Sequence, residues 1–270
     1  MTHTASRRAT GALLGLLLAG LALPAPAVDQ VFTGYARDLE TRRLLYVESH
    51  FVRAAGTVGE QRVVLYRCAS GDASGNAVFA RKELEYGAAR EEPRFTLLDG
   101  RTGYTEGLRR TAQGLEVFQR ESGSASLRRA RVPGNVAIVS DAGFDEFVRR
   151  HWAELEAGDT VRFPFLVPSR LDFLTFKVKK HHEEKIEGAA ASVIRLNLSG
   201  VLGWFLPYIE VSYRKSDRVL MRYRGLTNVR DAGGSNIVAQ IDFPARERLS
   251  VAAVDLAAQK AVPLVSRCPP

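Results

Sequence analysis

Two short stretches carry residue types that could do chemistry. In "YVESHF" (46–51), strand alternation places Tyr46, Glu48 and His50 on one face, where a carboxylate beside an imidazole can orient the ring for proton transfer. The commoner use of such a pair is a surface hydrogen bond, and hydrolysis would also need a nucleophile within reach of His50. In "HHEEK" (181–185) metal-ligating types crowd together. Adjacent strand side chains point to opposite faces, so at most His181 and Glu183 could share an ion, and the expectation is a solvated hairpin tip with no metal.

Other motifs are missing from the sequence. It has no GxSxG elbow, no GxGxxG and no Walker loop, which removes the usual anchors of hydrolase and nucleotide readings. Cys68 and Cys268 do not form a CxxC and have no histidine at ligand spacing, so neither a redox nor a metal role is expected, and no cofactor. Two cysteines allow one intramolecular connectivity, which would bolt "VSRCPP" onto the strand "RVVLYRC"; the alternative is two unpaired thiols.

The beginning of the sequence reads as a secretory signal: Arg7 and Arg8, an apolar run from Gly11 to Leu23, and Ala25-Pro26-Ala27 before a cut near Ala27. The apolar run is short for a permanent anchor, which needs roughly 20 residues. A soluble periplasmic protein is the expectation, with residues 28–270 as one domain. Apolar content of 46% with 25% charged residues is globular, and a net charge of +8 invites anionic partners. Nucleic acid would need a basic stripe with interleaved aromatics in a compartment an exported protein seldom meets. Attraction to lipid head groups, with membrane contact at most peripheral, or a solvated basic surface, fits better.

The elements that must position these residues are mostly strands. Apolar and charged residues alternate in "RRLLYVESHFVR" (42–53), "QRVVLYRC" (61–68), "NAVFARKELEY" (76–86), "PRFTLLD" (93–99), "GYTEGLRR" (103–110) and "GLEVFQRES" (114–122). The pattern resumes in "DTVRFPFLVP" (159–168), "LDFLTFKVKKHH" (171–182), "ASVIRLNLS" (191–199), "YIEVSYRKS" (208–216), "RVLMRYRGL" (218–226) and "NIVAQIDFP" (236–244). This spacing predicts a mainly β protein, a large curved antiparallel sheet or incomplete barrel. "ESGSASLRRARVPGN" (121–135) reads as a long loop. One segment has the other period: Phe144, Phe147, Val148, Trp152 and Leu155 form the apolar stripe of a helix over about 141–157, with Ser140 or Asp141 available to cap it and Gly158 to end it.

The helix stripe, the greasy run "FPFLVPSRLDFLTF" (163–176) and the glycine-hinged "GVLGWFLPY" (200–208) could together line an apolar cavity. The candidate ligand-binding residues are therefore Phe144, Phe147 and Trp152 on the helix and Trp204, Phe205 and Leu206 on the hinge segment. The occupant would be a lipid, an acyl chain or a lipoprotein, and the protein would not be an enzyme. The rival is a structural or interaction module of the cell envelope, with a filled core, no ligand and an envelope protein as its partner.

A signal segment, a long antiparallel sheet and an aromatic helix in mid-chain together resemble the periplasmic lipoprotein-carrier superfamily. That resemblance implies a curved, incomplete β-barrel covered by helices and holding acyl chains. "DAGFDEFVRRHWAEL" (141–155) with "YRGLTNVRD" (223–231) is similar to an uncharacterised family of exported proteobacterial proteins, which implies a fold and no activity.

Overall fold

Alternation becomes an antiparallel sheet of unusual width. The structure, a computed structural model, describes Met1 and residues 28–69, 77–134, 136–199, 209–231 and 233–269. The segment read as an export signal, and Trp204, Phe205 and Leu206 of the hinge segment, lie outside the described residues. The first run of strands is β1 (Val28–Arg37), β2 (Leu44–Ala55), β3 (Gln61–Cys68), β4 (Val78–Glu85), β5 (Arg94–Asp99), β6 (Thr105–Thr111), β7 (Gly114–Arg120) and β8 (Arg128–Arg131). The second is β9 (Thr160–Val167), β10 (Asp172–Ile186), β11 (Ala189–Leu198), β12 (Ile209–Arg214), β13 (Leu220–Arg230), β14 (Asn236–Asp242) and β15 (Leu249–Val251). Within each run, β2–β8 and β9–β14, neighbours in sequence pair antiparallel, and β1 stitches the two meanders together.

β1 lies in the middle of the sheet. On one side it pairs with β2. On the other its second half pairs with β14 (Tyr35 opposite Asp242) and its first half with β15 (Asp29 opposite Val251). The chain leaves the sheet between Asp242 and Leu249, so β1 has a split neighbour. Gly34 is small because Phe243 packs on this strand: a Cβ there would sit 2.5 Å from a ring carbon of Phe243.

The sheet curls without closing. Val139 forms a parallel bridge with β9, its N–H donating to Pro164 O (2.9 Å) and its carbonyl accepting from Leu166 (2.8 Å). Ser140 ties the same segment to the loop before β5 through Glu91 O (3.0 Å) and Pro93 O (3.1 Å). The turn at Pro168–Arg170, which ends β9, packs against β6 and β7. Hence the far ends of the two meanders meet through a seam of loops rather than a ladder. The stretch read from sequence as a loop contains β8, which pairs with β7.

In place of one helix there are two, α1 (Gly143–Arg150) and α2 (Trp152–Ala157), bent at His151. Hydrogen bonds from His151 N to Phe147 O and from Leu155 N to His151 O carry the chain across the bend, and Gly158 ends it in the left-handed region at φ 90°. Phe147, Val148, Trp152 and Leu155 are buried against Phe163, Val178, Ile194, Val211 and Tyr213 of β9–β12. Burial of each large side chain is worth about 1.5–3 kcal/mol, so packing, not propensity, holds these short helices. β3 reads "RVVLYRC" without alternation because both its faces are covered. Val63 and Leu65 face a C-terminal lid of Val254 and Leu256, where α3 (Leu256–Ala261) begins. A disulfide between Cys68 and Cys268 fastens that lid to the end of β3.

Candidate functional site

The concave face of the sheet encloses a cavity of about 830 Å³. Register decides what lines it. Phe32, His50, Val64, Lys82, Leu97, Glu106 and Gln119 are successive cross-strand partners from β1 to β7, so polar and apolar side chains mix across one half of the inner face, and His50, Lys82 and Glu106 line the cavity. The other half differs in kind. Phe165, Leu166, Phe176, Leu196, Ile209 and Val211 line it, and none of the lining residues supplied by β9–β14 is charged. One wall is therefore ionic and the facing wall uncharged, apolar along β9–β12 and carrying Thr227, Asn228 and Asn236 on β13 and β14.

The ionic wall is tightly paired. Glu48 accepts from His50 Nε2 at 2.9 Å, and the imidazole stacks on Phe32 with ring centroids 4.2 Å apart. Burial pulls the His50 pKa down against the pull of Glu48, so the ring is neutral at neutral pH. With Nε2–H donated to Glu48, Nδ1 is an acceptor, and it is buried with no hydrogen-bond partner among the described residues. Lys82 donates to both oxygens of Asp141 at 3.0 and 2.8 Å. Burial opposes the Lys82 charge, but the Asp141 carboxylate outweighs it and raises the pKa. Asp141 also accepts from Asn228 on β13. It is thus spent on the cavity wall and caps no helix: its own φ is 40°, and the N-cap of α1 is Ala142, without a side-chain bond. Glu106 accepts from Tyr104 Oη at 2.6 Å, yet burial lifts its carboxyl to about 7.

A second cluster stands where α1 crosses the cavity. Glu60 accepts from Gly56 N, Arg62 and Arg90 at 2.7–2.8 Å, and Arg90 and Arg149 both reach Glu146. Burial would raise the Glu60 pKa, but Arg62 and the Gly56 amide more than offset it and leave it lowered. Tyr213 donates to Asp145 at 2.7 Å, anchoring α1 to β12.

Of the helix residues predicted to touch a ligand, Phe144 lines the cavity, whereas Phe147 and Trp152 are packed in the core beneath the helix. The Glu48–His50 pair read from alternation is present and faces inward. No hydroxyl or thiol lies within hydrogen-bond distance of His50 Nδ1 among the described residues. Lys82, Glu106, Asp141 and Arg248, which sequence reasoning passed over, are part of the lining. Alternation in "FARKELE" could have flagged Lys82, since it shares a face with Ala80 and Leu84. On the outer face, a register shift between Lys180 and His182 puts His181 and His182 side by side rather than on opposite faces, with Nδ1 atoms 2.7 Å apart near Glu210. Arg195 already neutralises that carboxylate at 2.7 Å.

No protein-family model matches the sequence, and no curated protein matches it. Among solved structures, the chain is similar to a β-barrel-like protein of the domain of unknown function DUF1849 from Brucella abortus, with 7% identity, a TM-score of 0.48, and coverage of 82% of this chain and 100% of the other. It is also similar to a DUF1329 family protein from Desulfovibrio piger, with 8% identity, a TM-score of 0.32, and coverage of 89% and 93%.

Proposed function

We propose that this is an exported, non-enzymatic periplasmic protein that holds a hydrophobic ligand, a lipid, acyl chain or acylated protein, inside its curved sheet. The observation that carries the reading is the cavity: about 830 Å³, with an uncharged wall along β9–β14. Ligand sites of about 300–1,000 Å³ with apolar walls and a few placed polar groups are the general pattern. An interior of this kind weighs against the rival reading of an envelope module with a filled core. Hydrolysis is disfavoured because His50 is held by Glu48 and Phe32, and among the described residues no nucleophile lies within hydrogen-bond distance of its free nitrogen.

Native mass spectrometry of the purified protein, beside lipid extraction of the same sample after denaturation, tests the proposal. The expected result is a bound species that dissociates into an identifiable lipid and is lost in Phe165→Gln and Leu196→Gln variants that remain folded. A clean unliganded mass, unshifted by added fatty acids or phospholipids, would return the protein to the structural-module reading.

A further inference from the structure

Four arginines line the cavity: Arg62, Arg90, Arg149 and Arg248. The first three are paired by Glu60 and Glu146. The Arg248 guanidinium makes no ion pair or hydrogen bond among the described residues, and its carbon lies 3.8 Å from the centroid of Phe32. It enters the cavity through the split beside β1, between the end of β14 and the start of β15. Its neighbours in sequence are fixed: Tyr35 Oη donates to Glu247 at 2.8 Å, and Leu249 pairs with Val31. The side chain is thus placed in advance, against an aromatic face, without a counter-ion.

The surroundings do not supply one. Burial and the charge of Arg62, offset in part by the Asp145 carboxylate, pull the Arg248 pKa down to about 10, so it remains a cation at neutral pH. Nearby, Arg62 Nε and His50 Nδ1 are buried without hydrogen-bond partners among the described residues. Glu60 and Glu146 are ion-paired to the other arginines, and Asp145, which accepts from Tyr213, favours the Arg248 cation at a distance but forms no ion pair with it among the described residues.

We propose that the cavity's ligand is an anionic amphipath, whose carboxylate or phosphate head pairs with Arg248 while its chain lies on the uncharged wall of β9–β14; this rests on the hydrophobic-ligand reading above. A guanidinium matches both oxyanions with parallel N–H donors, and charge-assisted bonds of this kind are roughly twice as strong as neutral ones. A neutral lipid would cover the half-buried Arg248 charge and leave it unpaired.

Isothermal titration of the purified, delipidated protein separates the outcomes, using oleate, oleyl alcohol and oleoyl lysophosphatidylglycerol as probes and inorganic phosphate as the free-anion control. At least one anionic lipid is expected to bind about tenfold or more tightly than oleyl alcohol. Oleate ahead of the lysophospholipid identifies a carboxylate head, and the reverse order a phosphodiester. Arg248→Gln should collapse the preference for the anionic lipid, Arg248→Lys should keep part of it, and the exposed Arg246→Gln should leave both affinities unchanged. Equal affinity of the wild-type protein for the alcohol and the anionic lipids would overturn the head-group assignment and leave the hydrophobic-ligand reading standing. A preference that survives in Arg248→Gln would overturn the role of Arg248. Binding of none of the lipids, with or without binding of phosphate, would overturn both.

Discussion

The interior opposes the charged form of Glu106. Burial raises its carboxyl from 4.5 to about 7, with Asp141 adding to the effect, although Tyr104 donates a hydrogen bond to it. Between those two values the folded protein binds more protons than the unfolded chain, so this group makes stability fall as pH rises through that window. The penalty is complete above about pH 7 and amounts to at most about 3 kcal/mol. Glu106→Gln should therefore be more stable than wild type in urea at pH 8, and the gap should shrink towards zero near pH 4.5. A gap that does not depend on pH would mean that Glu106 titrates normally. The sequence made the Glu48–His50 pair legible, because two residues apart on a strand is a local relation. It did not reveal Lys82–Asp141, whose members come from β4 and the approach to α1, or Arg248, which reaches the cavity only because β1 has a split neighbour. His181 and His182 were misread for a third reason: a bulge breaks the alternation on which the reading rested.

At the scale of elements, strands with alternating patterns could be read and the central one could not. The inward positions of β1 include Gly34, which leaves room for Phe243, and Ala36, so the alternation of large apolar residues that marks a strand is weak there. The helix stripe was legible but the bend at His151 was not, since the periodicity of Phe144, Phe147, Val148, Trp152 and Leu155 runs through it. Nor could the stripe say which of its members face the core and which the cavity. The seating of α1 gives a sharp prediction. A Cβ at Gly143 would lie 2.1 Å from Glu91 O, the carbonyl that also holds Ser140 N, and 2.7 Å from Pro93 Cδ. Alanine in a helix gains about 0.5–1 kcal/mol over glycine, but a clash with backbone forces α1 outwards. Gly143→Ala should thus destabilise by about 1–3 kcal/mol, visible as a lower urea midpoint at unchanged slope. A neutral or stabilising result would mean that α1 is less closely docked.

Across the whole molecule, the mainly β class and the curved open sheet were legible because each meander is built from neighbours in sequence. The pairing of β1 with β14 and the seam through Val139 were not, since they join segments far apart in the chain. The disulfide is of the same long-range kind, linking residues 200 apart. In the chain-entropy account, a loop of that size contributes about 5 kcal/mol by restricting the unfolded chain. Reduction should lower the unfolding free energy by about that amount and free the Val254–Leu256 lid from β3. An unchanged urea transition under reducing conditions would show that the lid is held by its apolar contacts alone.

The place of β1 also sets the order in which the molecule can assemble. The meander β2–β8 can zip up from hairpins, and so can β9–β14, each paying only short loop closures. The strand that unites them must hold an open edge until β14 and β15 exist, and that edge is then a template for another chain's strand. Topologies dominated by such distant pairings fold slowly. In this protein the slow step and the step exposed to aggregation are therefore the same one: the docking of β14 and β15 onto β1.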